Sequence, residues 1–454
     1  MKIGLEIHVQ LRTKTKLFCG CPNRFAEEPN SLTCEYCLGM PGSKPVLNAA
    51  AVDAAIKISL ALNCSFPKEM FFSRKSYFYP DMGKNFQITQ YEVPVASKGS
   101  MEAGGKVIRI TRVQMEEDPA RIVHEKTHIL VDYNRSGVPL CEVVTEPDFA
   151  SPKEARLFLQ HLASILEYLG VMDPSMEGSM RVDANVSTES ERVEIKNVTG
   201  FKEVERALNY EIIRQRNVIR RSQEVRRETR GWDADTGVTR SQRNKEEEDD
   251  YGYIFEADLP RITLPKAKIE AIRKALPELA EQKMKRYGKM GVKEELAKAI
   301  TSEIDLAQMF EKVAENIEPA LAARWFAGEI KKTLNYNDIR MKDSGVSAEQ
   351  ISKLLSMVGS GKLTDRAAEM IFRTMAEKPQ DPEKLAAGMQ AIGGGGEIEA
   401  LAMEAIKENP KAIEDYRAGK KESFNFLVGQ VMKKTKGRAK PDAVKAVMEK
   451  LLYQ

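Results

Sequence analysis

The sequence has no run approaching the ~18 consecutive apolar residues that a membrane span needs, so no transmembrane segment is expected. It also lacks the apolar core of a secretory leader: Met1–Lys16 alternates polar and apolar residues, and a cytoplasmic location is expected. Strong charge of one sign is missing too. The formal net charge is +3, too small to argue for a nucleic-acid partner except where basic residues cluster. Neither a Walker loop nor a Rossmann glycine fingerprint occurs, so a nucleotide, if bound, is held by another fold. There is no internal repeat.

What is present is a chain of 454 residues, 42% hydrophobic and 30% charged, an ordinary soluble balance. That length suits two to four domains of roughly 150 residues each. Up to about residue 265 the chain is rich in short β patterns: Lys2–Leu11, Val107–Met115, Ile129–Tyr133, Met180–Ser187 and Val193–Val198. Two helices are expected among them. One has Ser151 as cap and Pro152 in its first turn and runs to about Leu169; the other begins near Phe201. Beyond Pro265 helical patterns dominate, interrupted by the glycine run Gly393–Gly396, which reads as a linker. The expected architecture is α+β: a sheet-built domain over 1–265, a helical domain over 266–392 and a helical tail over 397–454.

Six cysteines in a reducing compartment are ligands, core residues or reactive thiols. Cys19 and Cys21, then Cys34 and Cys37, form two close pairs separated by a polar loop, the spacing of a closed tetrahedral zinc site with a structural role. Cys64 and Cys141 lie in apolar contexts and are expected to be buried, inert thiols.

On the opening strand Ile3, Leu5, Ile7, Val9 and Leu11 share one parity, while Glu6 and His8 share the other, about 7 Å apart. That pair fits both a solvated strand face and part of a hard-cation site. Met115-Glu116-Glu117-Asp118-Pro119 masses carboxylates at the end of a β segment, and Glu142 interrupts the apolar run Gly137–Val144. Such a buried carboxylate needs a salt bridge or a metal. Phosphate-compatible groups recur at Arg74-Lys75 with Lys84-Asn85, at Asn134-Arg135-Ser136-Gly137, over Glu177–Asn185 with Arg181 and Asp183, and at Lys196.

GLEIHVQL, the paired cysteines, SRKSYFYPDMGKNFQITQY, QMEEDPAR, VDYNRSGVPLCEVVTEPD, GSMRVDANVS, EIKNVTGFKEVERAL and, in the tail, SFNFLVGQVMKKTKGRAKP stand here in the order of one family. The chain resembles the B-type component of the tRNA-dependent amidotransferases, the GatB/GatE family, over nearly its whole length. The resemblance implies a cradle-shaped catalytic domain of mixed or antiparallel sheet, a helical domain and a YqeY-like tail. It implies ATP and Mg²⁺, with phosphorylation of the side-chain carboxylate of Glu-tRNA(Gln) or Asp-tRNA(Asn). The acyl phosphate is then amidated by ammonia from an amidase (A) subunit, in a heterotrimer with a small C subunit. The family's metal site matches Glu6, His8, Glu117 and Glu142; Lys75, Asp183 and Lys196 are the next candidates, for nucleotide or phosphate.

Pro119-Ala120-Arg121 stands where bacterial members carry Ala-Gly-Lys, so no nucleotide contact is assigned there. The chain is too short for the inserted domain of GatE, which favours the B type, and it carries no amidase Ser-Ser-Lys arrangement. Two other readings stand beside this one: a GatE-type subunit specific for Glu-tRNA(Gln), and a zinc-stabilised tRNA-binding module without chemistry. Two basic runs are candidates for RNA: Arg214, Arg216, Arg220, Arg221, Arg226, Arg227 and Arg230, and, in the tail, Lys433, Lys434, Lys436, Arg438 and Lys440. Phe424, Phe426, Leu427 and Val428 are expected in the tail core.

Overall fold

The computed structural model describes residues 1–174, 176, 178–242, 252–387, 395–417, 420–435 and 438–452. Glu177, Gly393, Gly394 and Lys436, singled out above, lie outside them. The fold is α+β, strands with interleaved helices first and helices alone after, as the pattern of the sequence predicts. Met1–Leu279 forms one compact unit and Ala280–Gln454 another.

The first unit is built on an eight-stranded mixed sheet. From edge to edge its strands are Val238–Ser241, Glu228–Asp233, Val193–Thr199, Met180–Ser187, Lys2–Gln10, Pro139–Thr145, Lys106–Glu117 and Ala96–Ala103. Neighbours run antiparallel except Val193–Thr199 against Glu228–Asp233. Parity decides which face is core. Ile3, Leu5, Ile7 and Val9 are at most 1% exposed, each contributing about 1.5–3 kcal/mol by burial. They share a core with Val113, Met115, Cys141, Val143, Val182 and Ala184. Helices Ala49–Ala61, Pro152–Tyr168 and Phe201–Arg220 cover that face and complete the core. The opposite face, left without helices from these segments, carries the polar residues of the same strands.

Local signals place the helices. Ser151 Oγ accepts the Glu154 N–H, and Pro152 opens the helix where no N–H is needed. Asn48 caps Ala49–Ala61 by accepting from two backbone N–H groups. The expected strand Ile129–Tyr133 is found as Ile129–Asp132, paired with Arg121–His124 in a separate hairpin. Ala96–Ala103 was not expected as a strand: ASKGSMEA holds few β-formers, and its pairing with Lys106–Glu117 supplies what propensity lacks.

In the second unit one core gathers Tyr287, Phe310, Trp325, Phe326, Leu355 and Phe372. Another gathers Ile398, Ala402, Leu427, Val431, Val444 and Met448. Leu427 and Val428 are buried as expected, whereas Phe426 is 49% exposed. Phe424, Leu427, Val428 and Val431 fall at i, i+3, i+4 and i+7 on the core face of this helix, and Phe426 lies off it. Among the described residues, no helix is long and apolar enough to cross a membrane.

Candidate active site

The polar face of the sheet is assembled by register. His8 stands opposite Glu142, and Glu142 opposite Gln114 on the next strand. Glu116 lies two residues beyond Gln114, on the same face. His8 Nε2 is 3.3 Å from Glu116 Oε1 and 3.8 Å from Glu142 Oε2. Ligand atoms of these three residues lie within 4.8 Å of one another. Gln114 Nε2 donates to Glu142 Oε2 at 2.7 Å, while Gln114 Oε1 is buried with no hydrogen-bond partner among the described residues.

The electrostatics of this group are those of a site short of positive charge. Burial alone disfavours the His8 imidazolium, but the hydrogen bond to Glu116 and the field of Glu142 outweigh it and push its pKa up to about 10. Burial pushes Glu142 up to about 7 against the pull of His8. Glu116 is buried as well, yet His8 holds its carboxyl below the usual range. Two carboxylates, one imidazole and an orphan amide oxygen form an oxygen-rich donor set that fits a hard divalent cation such as Mg²⁺.

Glu6 belongs to a neighbouring group. It is the register partner of Asp183, and its ligand atom clusters with those of Asp183 and Glu194. Lys196 Nζ bonds Asp183 Oδ2 at 2.9 Å and also touches Glu194. Asn197 N–H takes the other Asp183 oxygen at 2.7 Å. Burial opposes the Asp183 charge, but Lys196 and His8 hold its pKa below the usual range. Lys75 lies on the strand Ser73–Ser76, near enough for its charge to favour the Glu116 carboxylate.

Glu117, expected beside His8, is on the other face. It follows Met115 in the core parity, 2% exposed, at the strand's end. Lys84 Nζ sits 2.6 Å from both its oxygens, Ile88 N–H donates to Oε1 at 2.9 Å, and the Tyr36 hydroxyl donates to Oε2 at 3.4 Å. The structure therefore brings together His8, Glu116 and Glu142, and separates Glu117 from them. The missed residue had a signal: an apolar Met115 in an alternating strand puts Glu116, not Glu117, on the polar side. Asp118 is buried against Arg181 at 2.8 Å. Arg135 ties down the carbonyls of Pro119 and Ala120.

The four cysteines do converge. Cys37 Sγ is 3.5 Å from Cys19, 3.7 Å from Cys21 and 3.8 Å from Cys34. Four sulfurs each about 2.3 Å from one tetrahedral ion stand about 3.8 Å apart, so the cluster could hold a metal such as zinc. Lys16, fully buried, donates to Cys37 Sγ at 3.4 Å and to the carbonyls of Leu32 and Tyr133. The hydrogen bond with Cys19 lowers the Cys37 thiol to about 4, and Lys16 adds to the effect against the cost of burial. Cys64 and Cys141 are buried apart from this cluster.

Of the first basic run, Arg214 is paired with Glu211 and Glu228, and Arg230 with Glu228. Arg216, Arg220, Arg221, Arg226 and Arg227 are exposed. In the tail Lys434 is paired with Glu404 and Glu408, while Lys433 and Lys440 are exposed.

Comparison with known proteins adds to this geometry. The family model described as the GatB/GatE catalytic domain matches residues 1–270, and the GatB Yqey-domain model matches residues 308–452. A protein of Methanospirillum hungatei, named as the B subunit of an aspartyl/glutamyl-tRNA(Asn/Gln) amidotransferase, is 46% identical, over 99% of this chain and 98% of its own. A Thermotoga maritima protein of the same name is 42% identical, again over 99% and 98%.

Proposed function

Since the chain belongs to the GatB/GatE family, we propose that it is the B-type subunit of an aspartyl/glutamyl-tRNA amidotransferase, acting on Glu-tRNA(Gln) or Asp-tRNA(Asn) with ATP. The observation that carries the reading is the convergence of His8, Glu116 and Glu142 on the polar face of the sheet. Full-length likeness to proteins named as B subunits favours the B type over GatE.

A carboxylate is a poor electrophile because its leaving group would be oxide. Transfer of the γ-phosphoryl of ATP to a side-chain carboxylate oxygen gives ADP and an acyl phosphate. Ammonia then attacks the carbonyl carbon, phosphate departs, and a proton is lost from nitrogen to leave the amide. Mg²⁺, when bound by His8, Glu116 and Glu142, supplies the charge that the transferring phosphoryl needs. Gln114 orients Glu142 through its N–H. Lys75 and Lys196 face the nucleotide phosphates; Asp183, both of whose oxygens are engaged, acts through Lys196. Glu117 takes the place of a structural anchor for Lys84 rather than of a ligand.

The assignment extends to the parts. Catalysis belongs to residues 1–265, a structural zinc to the knuckle of Cys19, Cys21, Cys34 and Cys37, and tRNA contact to the tail over 397–454. Ammonia comes from an amidase subunit in a cytoplasmic complex completed by a small C subunit. The test is reconstitution with those subunits, radiolabelled Glu-tRNA, glutamine and ATP, scoring Gln-tRNA; free ammonia should replace glutamine. Absence of any amide with ammonia, ATP and Mg²⁺ would sink the reading.

A further inference from the structure

Beside the His8 group, the polar face carries the knot of Glu6, Asp183 and Glu194, with oxygens within 4.8 Å of one another. Carboxylates that close cannot all stay ionised without a cation among them. Here a side chain provides it. Lys196 Nζ bonds Asp183 at 2.9 Å and touches Glu194, with its side chain only 16% exposed. The backbone is shaped to deliver that ammonium. The register shifts between Val182 and Ala184, so that Lys196 and Asn197 together oppose Asp183. Such a bulge re-aims a side chain. Asn197 adopts φ 55° and turns its N–H onto Asp183. Glu6, fixed by Asn185 Nδ2 at 2.9 Å, joins this knot to His8 two residues along the same strand face.

We propose that Lys196 is a tethered cation: its ammonium permanently fills a second cation position on this face, so that the centre takes up a single exchangeable divalent ion rather than a pair. The idea deepens the phosphoryl-transfer reading and takes its purpose from it. Two-ion centres clamp the attacking and leaving oxygens with two mobile charges. Fixing one of those charges to the chain makes occupancy of that position independent of the free metal concentration. A lysine is suited to the task, as a compact point charge on a long stem.

The test counts Mn²⁺ bound to the full zinc-loaded chain by electron paramagnetic resonance. The wild type should bind about one ion per chain, and Lys196→Ala about two, because the vacated position is lined by three carboxylates. Lys196→Arg should stay at about one, and Lys196→Ala with Glu194→Gln should lose the added ion. If Lys196→Ala unfolds in metal-free buffer, its unfolding temperature is followed instead. Mn²⁺ should raise it more than it raises the wild type, and should cease to do so once Glu194 is Gln. The proposal falls if Lys196→Ala takes up no more Mn²⁺ than the wild type, or if the wild type already takes up two. A wild type that binds none, with a variant that binds one, supports the tethered cation and sinks the divalent site at His8 instead.

Discussion

Glu116 and Glu117 are consecutive in the chain and serve opposite faces of one strand. Glu116 meets His8 on the polar face at 3.3 Å, and Glu117 meets Lys84 beneath the cysteine knuckle at 2.6 Å. Their substitutions should therefore fail in different ways. Glu116→Gln should cut ATP- and Mg²⁺-dependent amide formation on the order of 100-fold or more, at a smaller stability cost than Glu117→Gln, because losing its bond to His8 also relieves its repulsion of Glu142. Glu117→Gln should strand a buried ammonium and lose about 3–5 kcal/mol of stability. A Lys84→Met, Glu117→Met double variant should recover only the part due to the stranded ammonium, since the Ile88 N–H also loses its acceptor. Thermal unfolding and the amide assay, run on all three proteins, decide it; equal stability of the two Gln variants would contradict the assignment.

The knuckle should carry about one zinc per chain, removable by a strong chelator. Cys34→Ser should lower zinc content and loosen the Tyr36 hydroxyl from Lys84, to which it is bonded at 2.8 Å. Metal analysis gives the first result and tyrosine fluorescence of the variant the second. Full zinc content in Cys34→Ser would refute a four-sulfur site.

Asp305 ties the first turn of helix Ile304–Ala314 to Arg340 Nη2 at 2.5 Å and to the Lys342 N–H at 3.1 Å. Burial opposes its charge, but these bonds hold its pKa below the ordinary carboxylate range. The folded value lies below the unfolded one, so its stabilisation is present in full above the unfolded value of about 3.9. It disappears as pH falls through the folded value. Asp305→Asn should cost about 1.5–3 kcal/mol at pH 7 and flatten the acid limb of a stability–pH curve measured by urea unfolding. An acid limb of unchanged slope would remove Asp305 from the account.

Removing residues 397–454 should weaken tRNA binding more than it slows chemistry on bound substrate. Within the tail, Lys433→Ala and Lys440→Ala should each lower the salt dependence of binding by about 0.7–0.9 log units per log unit of salt. Lys434→Ala should do less, since Glu404 and Glu408 already neutralise that residue. Fluorescence anisotropy across a potassium chloride series reads all three; identical slopes would locate the RNA elsewhere.

The sequence revealed elements and faces more readily than partnerships. The strand Met180–Ser187 and the Ser151 cap follow from patterns a few residues long, where local chemistry decides. The parity of Lys2–Gln10 also correctly put Glu6 and His8 on one polar face. It could not say that Glu6 would turn to Asp183 and His8 to Glu116 and Glu142, because that depends on strands more than 100 residues away. Lys84 and Arg181 looked like phosphate ligands, yet each is bonded to a buried carboxylate, Glu117 and Asp118. A cation beside aromatic rings reads alike in sequence whether its anion is a ligand or a neighbour. Ala96–Ala103 stayed hidden because its β structure comes from a partner strand rather than from its own residues.

Lys16 makes the four thiols unequal. Its ammonium is fully buried, and the sulfur it bonds is that of Cys37. Removing that sulfur would leave the charge facing only the neutral carbonyls of Leu32 and Tyr133, an arrangement costly to keep out of water. Cys37 therefore balances a charge of the fold itself as well as offering a sulfur to a metal.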